Sequence, residues 1–383
     1  MKDFLLREIV GDNLVPELAK IGFDESYRAN AANKNRYKNF KIYPLNPALA
    51  NILKQTALSV GADCATHRNV ITGTIEESAV ILGGSVSELR LISQKLKFQP
   101  FSLSKLADKI EELLNADRNR KTKIVGVLNV TPDSFSDGGL YTDSDKACRH
   151  LVQMIEDGAD MIDIGAESTR PQAAEDVSVA IQIERLKPVL SFLEKENLKT
   201  KVSVDTRSSE VANFVLNMGV HFINDVSGFD YDAKMPEVIG RYGAGVILQH
   251  SKGTPKDMQD NPTYDDVIGE IYDSLRDKTE LAKSFGIEDI IVDPGIGFGK
   301  KREDNFEILD KIEEFYGLNY PVMVGVSRKS FLGVKADNNS LKDSLTLAVS
   351  YPLVKSGVDY LRVHNVKLHA ELIKLVNYNC PLS

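Results

Sequence analysis

Downstream of residue 120, short β-branched apolar runs recur along the chain. They fall at Lys123–Val130, Met161–Glu167, Lys201–Thr206, Phe222–Gly228, Gly245–His250, Ile290–Gly295, Val322–Ser327 and Tyr360–His364. The stretches between them carry helical spacing, as in Ala147–Leu151–Met154–Ile155 and Ile181–Leu186–Leu190. Near-continuous apolar strands alternating with amphipathic helices predict a parallel sheet covered on both faces. Eight such units in the residues after 120 give about 33 residues each, the size of a (β/α)8 barrel unit. The predicted class is therefore α/β: a (β/α)8 TIM barrel preceded by a small mixed α/β domain. A doubly wound sheet would carry fewer strands and a glycine fingerprint after the first, and none follows Val130.

The leading segment has a different pattern. Phe40–Leu45 and Ser78–Leu82 predict strands; Pro47–Val60, Val86–Lys97 and Leu103–Leu114 predict helices. A polar crossing, Glu111–Lys123, separates it from the barrel, which puts the boundary near residue 119 and the domains at 1–118 and 119–383. Charge divides the chain at the same place. The first 120 residues hold 17 basic and 14 acidic side chains, the remainder 30 and 41, within a total of −8. Such asymmetry points to separate units. The basic stretch Lys34, Arg36, Lys38, Lys41 reads first as a solvated face, and secondly as an anion or docking surface.

Composition removes several classes. No apolar run approaches the roughly 18 residues a membrane helix needs, and the start is charged rather than signal-like. Three distant cysteines, Cys64, Cys148 and Cys380, exclude a disulfide framework and a CxxC metal cluster. Cys64 and His67 lack further ligands nearby. The acidic balance argues against nucleic acid as a partner. A cytoplasmic protein with small-molecule partners is expected.

In a barrel of this kind chemistry sits at the C-terminal strand ends. Here those ends are polar: Asn129 to Gly139, Glu167 to Pro171, Asp205-Thr206-Arg207, Asn224-Asp225, Asp293 to Lys300, Ser327 to Ser330, and Arg362 to Asn365. Any one could be a turn or a helix cap; seven together exceed what capping requires. The glycines of Gly295–Lys300 fit neither a Walker loop nor a dinucleotide fingerprint, and there is no HExxH or GxSxG.

These strand ends make the resemblance specific. From about Lys123 to about Val376 the chain resembles dihydropteroate synthases, through NVTPDSFSDGG, ESTRP, SVDT, INDVSG, DPGIGFGK, SRKSFLG and RVH, in the family's order. The resemblance does not reach residues 1–118. It implies a transferase of folate biosynthesis that displaces pyrophosphate from a pterin methylene carbon with the amine of 4-aminobenzoate. It implies magnesium at Asn129, a neutral oxygen ligand suited to a hard ion, and pyrophosphate held by Asn129, Arg170, Arg362 and His364. Pterin falls to Asp205, Asn224, Asp293 and Lys329, whose acceptors match an edge of ring donors. The aminobenzoate falls to Thr169, Pro171 and Phe298, with its carboxylate at Ser330 and the start of the following helix. The resemblance makes Lys329, Arg362, His364 and Asp205 the expected catalytic set. The amine is itself the nucleophile, so no base is required. Loops 131–139 and 168–173 have the small residues of a closing lid. The family also implies a homodimer and a sulfonamide target.

Two departures stand out: Gln172 follows Pro171 where the family has glycine, and Gln249 replaces a methionine before the fifth-strand histidine. The rival reading is a pterin-binding methyltransferase acting from a folate to a corrinoid protein; it needs neither the Arg362–His364 pair nor SRKS. A non-catalytic pterin-binding module would have lost Asn129 or Lys329.

Overall fold

The computed structural model describes residues 6–7, 9, 14–100, 103–116, 121–131, 143–167, 177–253, 258–334 and 338–379. The chain divides into two units, Met1–Asp117 and Arg118–Ser383.

The first unit runs α1 (Val15–Lys20), α2 (Arg28–Asn35), β1 (Tyr37–Leu45), α3 (Pro47–Leu58), β2 (Asp63–Thr66), β3 (Ser78–Ser85), α4 (Val86–Leu96) and α5 (Leu103–Asn115). Its sheet is antiparallel in the order β1-β3-β2. Helix α4 begins at a capping box, with Ser85 and Glu88 each satisfying the other's backbone N–H. Leu53, Leu82, Leu89, Ile92 and Ile110 close a core within this unit. The predicted strand over Phe40–Leu45 begins three residues earlier, and β2 was not predicted. Four residues with one buried side chain, Cys64, carry too little alternation to read as a strand.

The second unit alternates strands and helices throughout. Its strands are β4 (Lys123–Asn129), β5 (Met161–Gly165), β6 (Lys201–Asp205), β7 (Phe222–Asp225), β8 (Gly245–Gln249), β9 (Ile290–Asp293), β10 (Met323–Val324) and β11 (Tyr360–Val363). Between and after them lie α6 (Asp143–Glu156), α7 (Val179–Lys195), α8 (Ser209–Asn217), α9 (Met235–Tyr242), α10 (Val267–Ser284), α11 (Arg302–Asp310), α12 (Asn339–Lys355) and α13 (Val366–Asn379). All pairings in the order β10-β11-β4-β5-β6-β7-β8-β9 are parallel. A parallel bridge from Val292 to Val322 joins the two ends and closes the barrel. The fold is the predicted (β/α)8 barrel.

Two apolar layers hold it. Outward-facing strand residues such as Leu128, Ile162, Val204 and Leu248 pack with the helices. Inside, Val125, Met161, Phe222, Ile247, Ile291, Met323 and Tyr360 form a separate cluster. Side chains alternate along a strand, so residues two positions on from this cluster face the same interior. Those residues include Asp163, Asn224, Gln249, Asp293 and Arg362. The barrel lining thus turns from apolar to polar towards its C-terminal end. Among the described residues no helix is long and apolar enough to cross a membrane.

Candidate active site

A buried carboxylate that the sequence reading did not single out organises the site. Asp163, in the middle of β5, is fully buried. Ser203 Oγ donates to its Oδ1 at 2.6 Å, and Asn224 Nδ2 donates to its Oδ2 at 3.0 Å. Arg362 Nε donates to the same Oδ2 at 2.6 Å, and Arg362 Nη2 donates to Asp205 Oδ2 at 3.0 Å. Four strands therefore converge on one cluster of two carboxylates, one amide and one guanidinium. The signal in the sequence was a charged residue sharing parity with Met161 in an otherwise apolar strand.

This network leaves acceptors open. Asp205 Oδ1 and Asn224 Oδ1 are buried and have no hydrogen-bond partner. Because the Asn224 amide donates to Asp163, its oxygen is turned away from that carboxylate. Buried acceptors without protein donors are costly, so these two oxygens are open to a ligand that brings donors. Burial pushes the Asp205 carboxyl up to about 7; Arg362 pulls it back and Asp163 adds to the rise.

Asp293 ends β9 with its Oδ1 accepting from Gly295 N at 2.7 Å, and burial raises its carboxyl too. Gly295 is required here: its φ is +72°, and a Cβ would lie 1.8 Å from the His250 carbonyl oxygen. Lys329 reaches back over this turn. Its ammonium donates to the Ile296 carbonyl and lies 4.5 Å from the centre of the Phe298 ring. Burial lowers Lys329 to about 8, against the pull of Asp293. Phe298 is buried, and its carbonyl accepts from Lys300 Nζ at 2.9 Å. Lys300 is itself enclosed by His250, 3.0 Å from Nδ1. The motif's last lysine thus braces the loop from inside and does not face the mouth.

At the last strand, His364 takes Ser327 as partner through both its backbone N–H, at 3.1 Å, and Nδ1, at 2.9 Å. Ser330 opens a three-residue 3-10 turn, Ser330–Leu332, and α12 starts only at Asn339. The glycine at 333, with φ +79°, ends the turn, so Ser330 and the start of the following helix are separate features of the chain. Asn129 closes β4; its Oδ1 lies 3.3 Å from where a Cβ on Gly165 would stand. Gln249 is buried and donates to the Val226 carbonyl at 3.4 Å. Thr169, Arg170, Pro171 and Gln172 lie outside the described residues, as do 132–142. A second buried pair, Glu167 and Arg207 at 3.1 Å, was also missed; Arg207 stacks 4.4 Å from the Tyr231 ring centre.

Three acceptor-bearing side chains, Asp205, Asn224 and Asp293, gather with Lys329 and Arg362 at the C-terminal end of the barrel, where enzymes of this fold carry their chemistry. Known proteins agree with that placement. Residues 125–364 match the pterin binding enzyme family. A bifunctional dihydropteroate synthase/dihydropteroate reductase of Helicobacter pylori is 34% identical over 375 residues, spanning 97% of this chain and 98% of that protein. The dihydropteroate synthase of Synechocystis is 38% identical over 265 residues, 68% of this chain and 91% of that protein. The crystal structure of Yersinia pestis dihydropteroate synthase with a sulfonamide drug complex superposes with a TM-score of 0.64 at 34% identity, covering 70% of this chain and 97% of that one. The chain belongs to the dihydropteroate synthases, within the pterin-binding enzyme family.

Proposed function

We infer that the chain joins 6-hydroxymethyl-7,8-dihydropterin pyrophosphate to 4-aminobenzoate, giving 7,8-dihydropteroate and pyrophosphate. The observation that carries this reading is the pair of buried, unpartnered acceptors on Asp205 and Asn224 beside Asp293. A pterin edge offers an amino group and ring N–H groups, the donors these oxygens lack. Lys329 lies over the ring face, and its stem with Phe298 forms the apolar wall for the aminobenzoate. Ser330, Thr169 and Pro171 complete that subsite. Arg362, with His364 and Arg170, neutralises charge as it builds on the leaving pyrophosphate. The arylamine attacks the methylene carbon as the C–O bond to pyrophosphate breaks. A closed mouth keeps water from the electrophilic carbon.

Magnesium fits on limited terms. Among the described residues no group of three His, Cys, Asp or Glu side chains could hold a metal ion. Asn129 offers a single neutral oxygen at the mouth, which suits a hard ion otherwise held by water and ligand phosphates. When bound, the ion would supply charge neutralisation on the pyrophosphate. Sulfonamides would compete for the aminobenzoate wall. The cysteines Cys64 and Cys148 are free thiols, which suits a reducing cytoplasm. Exposed Leu341 and Tyr351 on α12 and Leu375 on α13 offer apolar area for a homodimer.

The test is coupled pyrophosphate release from the pterin pyrophosphate with and without 4-aminobenzoate. Release that ignores the amine, or methyl transfer from a methylated folate to a corrinoid protein, would overturn the assignment.

A second reading rests on coverage. The Helicobacter pylori relative, whose name includes a dihydropteroate reductase, aligns with 97% of this chain and so takes in the first unit; the Synechocystis synthase aligns with 68%. On this reading the synthase product is reduced on the same chain by a two-electron donor, a reduced nicotinamide or flavin. Nicotinamide oxidation with 7,8-dihydropteroate, with and without added flavin, is expected from the full chain and not from residues 118–383.

A further inference from the structure

The turn that delivers Lys329 is built on an unfavourable residue. Val326 to Lys329 form a β-turn, with Lys329 N donating to the Val326 carbonyl at 3.5 Å. Its third position is Arg328, at φ +57°. Positive φ at that position calls for glycine or asparagine; an arginine there is strained. Something else must hold it.

The holder is Asp343, a buried carboxylate on α12, 15 residues on. Arg328 Nε donates to its Oδ1 at 2.7 Å and Arg328 Nη2 to its Oδ2 at 2.9 Å, a bidentate pair. The backbone is fixed from the same helix: Arg328 N donates to Thr346 Oγ1 at 3.1 Å. Asp343 Oδ2 also accepts from Asn365 Nδ2 at 3.1 Å, and Asn365 caps α13 by accepting from Leu368 N at 3.2 Å. Asp343 thereby ties the loop after β10 to the loop after β11. Those loops carry Lys329 and His364, and Ser327 bonds His364 directly.

We propose that Asp343 is a positioning residue of the synthase site, holding Arg328 in a left-handed conformation so that the next side chain, Lys329, enters the pocket. The proposal rests on the reading that Lys329 contacts substrate. Asp343 touches no substrate; it acts through the backbone of its partner. That predicts an outcome which loss of an ordinary ion pair does not. Arg328→Ala and Arg328→Gly both delete the guanidinium, yet only glycine adopts the turn without strain.

Steady-state kinetics on the full chain tests it, with melting temperature followed in parallel. Arg328→Ala should lower kcat/KM for the pterin pyrophosphate about 30-fold, as expected for a side chain displaced by about an ångström. Arg328→Gly should stay within about fivefold of the parent, because the turn survives without the pair. Asp343→Ala should match Arg328→Ala, and adding Arg328→Gly to it should restore activity. If Arg328→Gly is as impaired as Arg328→Ala, the guanidinium itself matters and the proposal fails. Should Asp343→Ala not fold, the two Arg328 variants decide alone, since both retain Asp343. Lys329→Ala is the control for the underlying reading. An active Lys329→Ala refutes the role of Lys329, whereas an inactive one beside a normal Asp343→Ala refutes only the positioning.

Discussion

Removing the Arg362 side chain tests how the pocket keeps Asp205 ionised. In the structure the guanidinium bridges Asp163 and Asp205 at 2.6 and 3.0 Å, and both carboxylates are buried. Even with that cation beside it, Asp205 is pushed up to about 7. Loss of an adjacent arginine raises a carboxyl by about 1–3 units; a rise of about 2 would place it near 9. At pH 7.5 the ionised fraction then falls from about three quarters to about 3%, roughly 25-fold or about 1.9 kcal/mol. With Oδ2 taken by Arg362, the open Oδ1 accepts a ring donor most strongly when the group is ionised, so pterin affinity should fall by up to the same factor. The assay is calorimetry with 6-hydroxymethylpterin, which lacks the pyrophosphate and so isolates this effect from leaving-group contacts. The ratio of parent to Arg362→Ala affinity, taken at each pH, cancels titration of the ligand itself. It should drop from up to about 100 below pH 6 to within about twofold at pH 9.5. A ratio constant over that range would mean that Arg362 does not govern the charge on Asp205, and the argument would be wrong.

Other outcomes follow from the same geometry. Asp293→Asn turns an acceptor into a donor facing a donor and should weaken pterin binding by about 2–5 kcal/mol; unchanged affinity by calorimetry would remove Asp293 from the pterin edge. Burial pushes the folded-state Asp205 carboxyl up to about 7 from an ordinary 3.8, so the fold holds the extra proton between those values and should lose stability as pH rises through that window. Asp205→Asn lacks this penalty. The unfolding free energy of the variant relative to the parent, from denaturant titration, should climb from pH 4 to 7 by about 1.4 kcal/mol per pH unit at most, and then level off. A flat difference would mean that the carboxyl is not raised. Because each unit closes a core of its own, residues 118–383 alone should fold and retain synthase kcat/KM within about tenfold. A folded fragment with activity down a thousandfold would make the first unit part of the site.

Most of the barrel was legible because its strands are buried on both faces, and buried strands must be apolar and β-branched. The seventh run, Val322–Ser327, shrank to the two residues of β10, since Gly325 and the turn at Ser327 end its ladder. The polar strand ends marked where chemistry belongs, and Asp205, Asn224 and Asp293 do share the barrel interior. What the sequence could not carry was partnership. Arg362 and Asp163 are 199 residues apart, and no local spacing links them. Resemblance drew attention to Arg362 as a ligand for an anion and so away from the two carboxylates it holds. The same applies to Lys300, read as part of a loop motif but buried against His250. A local Ser-Phe-Leu run likewise does not reveal that Gly333 stops the turn after Ser330.

The double engagement of Arg362 bears on how the synthase reading handles charge. Three buried carboxylates, Asp163, Asp205 and Asp293, face Arg362 and Lys329, with Lys300 buried near Asp293. A pterin ring adds donors but no countercharge, so the acceptors must already be balanced before it arrives. Arg362 provides that balance with Nε and one terminal nitrogen, leaving the other to meet an incoming anion. On the proposed assignment, pyrophosphate on the substrate would compete with Asp163 and Asp205 for one guanidinium, and the events at the breaking bond rest on that assignment. While the anion is still bonded to carbon, its charge on the bridging oxygen is low and the carboxylates keep most of the interaction. As the C–O bond breaks, charge on the leaving group rises and the balance tips towards it. The interaction thus strengthens most where it lowers the barrier and least in the ground state, which is what raises turnover and not merely affinity. The carboxylates then draw the guanidinium back once the bond is broken. A lone arginine without Asp163 and Asp205 would bind substrate and product pyrophosphate tightly throughout, and release would slow.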